Sequence, residues 1–135
     1  MKFVGVLPLI ALATASAAQA DCVQNFNQEG VPLVSGITYR SWTLYPKLDA
    51  KVALKNLTSA VAAEGFSGIR VEAGIGAISA LQETSGSGRP QTLRIVARKT
   101  SKGTRVDGTF FIQPGQLASA DAVRNGLCRI LEGAD

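Results

Sequence analysis

Histidine is absent from the chain. No imidazole is therefore available for a Ser-His-Asp or Cys-His nucleophile, or for a His-ligated metal. Cysteine is nearly absent: Cys22 and Cys128 are the two, with no C-x-x-C spacing, so no dithiol redox motif is encoded. Aromatic side chains are few, with one tryptophan, two tyrosines and five phenylalanines. The excess of positive charge is small, 14 Lys+Arg against 10 Asp+Glu for a net charge of +4, a weak counterpart for a nucleic acid. No apolar run approaches the roughly 20 residues of a membrane span. What is present, 135 residues that are 46% hydrophobic and 18% charged, suits one small globular domain without a second core.

The N-terminus reads as an address. Lys2 precedes an apolar stretch from Phe3 to Ala13, interrupted only by Gly5 and Pro8, and small residues follow as far as Ala18-Gln19-Ala20. This order of charge, apolar run and A-x-A site predicts a cleaved signal peptide over residues 1–20 and a single domain over residues 21–135. Asp21 replaces the small residue that a lipoprotein signal places before its cysteine, so the expected product is soluble and periplasmic or secreted. Loss of Lys2 leaves 13 basic against 10 acidic side chains, a charge of +3.

In such a compartment disulfides form and persist. Two cysteines allow one intramolecular bridge, Cys22–Cys128, tying the N-terminal arm to the end of the chain. Closing so long a loop is worth roughly 4–5 kcal/mol in the chain-entropy picture. An intermolecular bridge or a reactive thiol are the alternatives, and no C-x-x-C or histidine supports a lowered thiol pKa.

Residues 23–36, with Gly30, Pro32 and Gly36, read as an extended arm. Ile37–Tyr45 is rich in β-branched and aromatic residues and is ended by Pro46, which predicts a strand. Asp49 is placed to cap a helix, with Leu48 as its staple, and Leu54, Leu57 and Val61 repeat at helical spacing up to Gly65 and Phe66. Strands are expected at 69–73, 77–83, 93–98 and 104–112, with a flexible loop at Thr84–Pro90. Ser119 and Asp121 open a last helix whose stripe is Val123, Leu127, Ile130 and Leu131. The predicted fold is α+β: an antiparallel meander sheet with two helices packed on one face, in the order β-α-β-β-β-β-α. In element order alone this resembles one repeat of the TATA-binding-protein-like fold and, more loosely, the helix-grip folds. Neither family's sequence motifs occur, and fold does not imply function.

Side-chain parity extends the reading. For Leu93, Ile95 and Ala97 to share a face with Val106, Phe110 and Ile112, the last hairpin must pair Thr100 with Gly103. Arg98 then stands opposite Arg105, Val96 opposite Asp107, and Arg94 opposite Thr109. The simpler account of this face is a solvated one with Asp107 between two guanidinium groups. The functional account is an anion site at Arg94, Arg98 and Arg105, with Arg70 and Arg89 adding to the same side. In the middle hairpin, a loop Gly74–Ala77 would pair Ala73 with Ile78 and bury Ile78 and Ala80 beside Ile69 and Val71, whereas a three-residue loop would bury Leu81 and expose Ile78; the first is preferred. Trp42 is expected on the face opposite Tyr39 and Tyr45.

Other chemistry is missing its parts. Gly74-Ile-Gly76 lacks the third glycine and the following helix of a phosphate loop. Lys99-Thr100-Ser101 has no S-x-x-K to accompany it. Glu72, Glu83 and Asp107 have nothing to raise one carboxyl pKa above another. Asn56-Leu57-Thr58 is a formal glycosylation sequon inside a predicted helix. The expectation is a small exported non-enzymatic binding domain, without cofactor or metal. It would recognise an anionic envelope component or a partner protein through the arginine-bearing face or the Thr84–Pro90 loop. The alternative is a structural or assembly accessory of the cell envelope that recruits a protein through the first strand or the arm. An unrecognised hydrolase is the third reading.

Overall fold

Side chains of Ile37–Tyr45 are alternately buried and partly exposed along the whole segment, as a strand with one covered face requires. A computed structural model describes residues 17–84 and 86–135, together with Gly5, Ile10 and Ala11. In it the elements run α1 (Ala17–Asn25), β1 (Asn27–Glu29), β2 (Ile37–Tyr45), α2 (Ala50–Ala63), β3 (Ser67–Glu72), β4 (Ala77–Gln82), β5 (Gln91–Thr100), β6 (Gly103–Ile112) and α3 (Ala120–Glu132). The strands form one antiparallel sheet in the order β1-β2-β6-β5-β4-β3. The meander β3–β6 is therefore as expected, and β6 returns to pair with β2, the expected first strand.

Both amphipathic helices lie on one face. Asp49 Oδ1 accepts from the backbone N–H groups of Lys51 and Val52 at 2.9 and 3.1 Å and starts α2; Ser119 Oγ accepts from Ala122 N at 3.3 Å and starts α3. Loss of such a cap costs about 1 kcal/mol. The helices bury Ala53, Leu54, Leu57 and Val61 from α2, and Leu127, Cys128, Ile130 and Leu131 from α3. Opposite them stand Tyr39, Ile78, Leu93, Ile95, Val106, Phe110 and Ile112. Gly108 permits the close approach of α3: a Cβ there would meet Leu127 Cδ1 at 2.7 Å. Phe66 is set edge-on to Phe110 with ring centroids 6.1 Å apart.

The arm differs from expectation. Residues as far as Asn25 belong to α1, and Asn27–Glu29 adds a sixth strand against Thr38–Arg40. The cause is visible in β2, whose outer side would otherwise be an open edge. Asn25 Nδ2 donates to Trp42 O at 3.0 Å, Ser41 Oγ donates to Cys22 O, and Phe26 stacks on Tyr39. The first strand is thus interior to the sheet over Thr38–Arg40, where β1 covers its outer side. The expected cleavage site Ala18-Gln19-Ala20 falls within α1. The predicted leader up to Ser16, apart from Gly5, Ile10 and Ala11, lies outside the described residues.

The middle hairpin also differs. It pairs Glu72 with Ala77 and Val71 with Ile78, not Ala73 with Ile78. A 3-10 turn takes Ala73–Ile75, and Gly76 closes it with φ 64°, its Cα so near Ala97 O that no side chain would fit. The pairing slides by two residues, so the faces are preserved: Ile78 and Ala80 are buried and Leu81 is exposed. Val71 shares the inner face but remains 46% exposed at the sheet edge, where the helices give less cover than to Ile78.

Cys22 and Cys128 are bonded, with Cα atoms 5.6 Å apart and a separation of 106 residues. Reduction, or Cys22→Ala with Cys128→Ala, is expected to lower unfolding free energy by about 4 kcal/mol in urea titration. Tyr45 provides a second test. Its hydroxyl donates to Leu131 O at 2.6 Å. Burial, and then the negative charges of Asp135 and Glu132, push its pKa from 10.0 up to about 12. The folded state holds this proton more tightly than the unfolded chain. The contribution to stability is therefore complete below pH 10 and is lost as pH rises towards about 12. Tyr45→Phe is expected to be less stable at neutral pH, and its loss of stability over this alkaline window should be shallower.

Candidate functional site

The face of the sheet turned away from the helices carries the polar half of each strand. β2 contributes Thr38, Arg40, Trp42 and Leu44; β6 contributes Arg105, Asp107, Thr109 and Phe111; β5 contributes Thr92, Arg94, Val96 and Arg98. Register in the last hairpin is as parity requires: Arg98 opposite Arg105, Val96 opposite Asp107, Arg94 opposite Thr109.

The three expected site arginines fall into two groups. Arg105 grips Asp107 with Nε and Nη2, at 3.1 and 2.9 Å to Oδ1. Its guanidinium carbon also lies 4.3 Å from the centre of the Trp42 ring. Arg98 reaches the same carboxylate more loosely, Nε to Oδ2 at 3.9 Å. Two like charges directly opposite cost up to about 1 kcal/mol. A shared carboxylate and a cation–π contact of about 0.5–1 kcal/mol offset that cost. Arg105 is thereby fixed between Asp107 and Trp42, while Arg98 keeps more than half its side-chain surface exposed.

Arg94 stands two lines from Arg98 on the same face, in different company. The paired residues read Asn27, Arg40, Thr109, Arg94, Ser79, Arg70 from β1 to β3. Three arginines occupy every second strand, with a hydroxyl residue between each pair. At about 4.8 Å between neighbouring strands, successive arginine backbones stand about 10 Å apart and the line is about 19 Å long. Arg40 pairs with the exposed Glu29 at 3.2 Å. Arg94 and Arg70 are exposed and make no ion pair among the described residues.

Arg89 does not join this face. It donates to Gln113 Oε1 and Pro114 O at 3.3 and 2.8 Å. Buried Gln116 binds Arg89 O and Ser87 Oγ, and Gln113 Nε2 donates to Pro90 O. These two glutamines hold the loop before β5 to the turn after β6. Ser85 of that loop lies outside the described residues. Glu72 and Asp107 share a cross-strand line but stand three strands apart, about 14 Å. That is beyond the carboxyl spacing of glycoside hydrolysis. Among the described residues no group of three or more acidic or cysteine side chains is placed to hold a metal, and no helix is long and apolar enough to cross a membrane.

Arg40 is the member of the line that strand-by-strand reading missed. Its place follows only from the β2–β6 register, a pairing between residues about 70 positions apart that no local turn dictates. No protein-family model matches the chain, and no curated protein matches it in sequence.

Because the chain has one tryptophan, its fluorescence reports on this cluster directly. Asp107→Asn is expected to release Arg105 from the indole and change Trp42 emission. Because the pair is partly exposed, the loss of stability should not exceed about 1 kcal/mol. Unchanged emission in Asp107→Asn and in Arg105→Ala would contradict the arrangement.

Proposed function

We propose that this chain is a small exported, non-enzymatic binding domain that holds an extended anionic envelope component, of acidic-glycan type, on its open sheet face. The observation that carries the reading is the line of Arg40, Arg94 and Arg70, separated by Thr109 and Ser79. Guanidinium groups bind carboxylate, sulfate and phosphate through charge-assisted hydrogen bonds. Threonine and serine between them supply donors and acceptors for sugar hydroxyls. A line of charges across an open face suits a chain lying along it better than a single small anion enclosed by it. Arg98 lies two lines away on the same face and enlarges the basic area, while Arg105 is held by Asp107.

Export is supported by the order of Lys2, the apolar stretch and Ala18-Gln19-Ala20, and by a disulfide that an oxidising compartment maintains. A non-enzymatic role is supported by the absence of histidine and the wide separation of Glu72 and Asp107. Recruitment of a protein by strand addition is less favoured. One edge strand, β1, has only three residues. The other, β3, carries an irregularity between Ser67 and Arg70, with Gly68 at φ 58°. Both features blunt an edge.

Retention on immobilised heparin tests the reading, with phosphatidylglycerol vesicles as the lipid counterpart. Arg70→Ala with Arg94→Ala is expected to elute at clearly lower salt than the wild type. Lys51→Ala with Lys55→Ala removes equal charge from exposed positions of α2 and should elute close to the wild type. Equal shifts for both pairs would mean that net charge alone is read, and the proposal would fail. Stronger binding to vesicles than to heparin would replace the glycan with a lipid headgroup.

A further inference from the structure

The segment joining β1 to β2, Gly30-Val31-Pro32-Leu33-Val34-Ser35-Gly36, carries four consecutive apolar side chains and no charge. Val31 is 57% exposed, Leu33 59% and Val34 77%. Apolar residues scattered singly over a surface are ordinary, but an exposed run of them marks a function. The run is held in shape. Val34 N and Ser35 N both donate to Val31 O, at 3.2 and 3.0 Å, and Val31 N donates to Ser35 Oγ at 2.8 Å. At its foot, a Cβ on Gly30 would strike Gly36 O, and one on Gly36 would strike the Phe111 ring and Ile112 O. The segment is a finger closed by its own hydrogen bonds and seated against β6.

Leu33 has φ 67° and is the one non-glycine residue with positive φ among the described residues. This backbone is unfavourable for a side chain of such bulk, and glycine or asparagine adopts it more readily. Leucine here works against the fold and is left mostly in water. Strain of this kind collects where a chain meets its ligand.

Charge and area indicate what the finger meets. It stands at the end of the sheet where β2 begins and β6 ends, Ile37 being paired with Ile112. The turn that leaves β6 there, residues 113–118, is also without charge and leaves Leu117 66% exposed. Glu29, which precedes the finger, is neutralised by Arg40 at 3.2 Å. The exposed Arg89 is set beside the turn, on Gln113 and Pro114. The opposite end of the sheet carries the exposed Lys47, Lys99 and Lys102. An uncharged apolar tip with an arginine beside it suits the interface of a bilayer, where the tip reaches the acyl boundary and the cation stays among headgroups. A folded partner is less suited. The few side chains of this tip fall well short of the roughly 800 Å² that each side of a standard protein interface buries.

We propose that the Gly30–Gly36 finger inserts Val31, Leu33 and Val34 into the headgroup–acyl boundary of a lipid bilayer. So few side chains give a reversible attachment, since even a single myristoyl chain holds a protein only marginally. The finger lies beyond the ends of the strands and its insertion uses no arginine of the line. It does not rest on the glycan reading.

Bicelles of phosphatidylcholine carrying a doxyl-labelled lipid are the probe, added to the ¹⁵N-labelled, disulfide-bonded protein. Phosphatidylcholine has no net charge, so the arginine line has little to read in it. Paramagnetic broadening is expected at Val31, Leu33 and Val34 and should fade along β2 towards Tyr45. It should persist at high salt and in Arg70→Ala with Arg94→Ala. Leu33→Asn suits the same backbone and should melt no lower than the wild type, while its affinity for the bicelles falls about tenfold. A side chain that served only the fold could not separate these two readouts. Val34→Ser leaves the backbone bonds of the turn in place and should weaken binding in the same direction, which keeps the test valid if Leu33→Asn alters the turn. Absence of broadening at the finger, or broadening centred on the open sheet face or on α2, overturns the proposal. So does wild-type affinity in both variants.

Discussion

The pairing of β2 with β6 is the contact on which the other features depend. Nine consecutive residue pairs, from Ile37 with Ile112 to Tyr45 with Thr104, join the first long strand to the last. Without it the meander would present β6 as an open edge, and β2 would have no sheet to enter. The same pairing brings α1 beside α3, where Cys22 meets Cys128. It also places the Tyr45 hydroxyl under Leu131 O. The contact is non-local, so its chain-entropy cost is high. The disulfide closes the chain around the same pairing and lowers that cost in the unfolded state.

This pairing gives the sheet two different surfaces. The inner one is dry where Leu127 and Leu131 rest on Gly108. The outer one is charged and open, and its electrostatics sort the arginines. A carboxylate and an indole hold Arg105, the same carboxylate partly holds Arg98, and Arg94 and Arg70 project without acidic partners among the described residues. Exposed ion pairs contribute at most about 1 kcal/mol to stability. Three arginines in one line therefore owe little to folding, and the proposed anionic ligand would give their alignment a use.

Much of this was legible in the residues. Helical spacing and the caps Asp49 and Ser119 locate α2 and α3, and parity alone places Arg98 opposite Arg105, because a short hairpin leaves few registers. The rest depended on distant partners. Asn27-Gln28-Glu29 has no strand-forming character of its own and becomes a strand because β2 presents unpaired backbone groups. The slide of the middle hairpin follows from a 3-10 turn whose closing glycine touches Ala97 on another strand. Arg40 joins Arg94 only when the registers of several strand pairs are combined.

The central claim is that the arginine line is where an anionic chain lies. The most direct measurement is amide and guanidinium shift mapping of the labelled, disulfide-bonded protein with a heparin hexasaccharide. The account predicts perturbations that run across the strands at Arg40, Thr109, Arg94, Ser79 and Arg70, and that fade towards α2 and α3. Perturbations centred on the loop before β5 or on the lysines of α2, with the line unaffected, would contradict it.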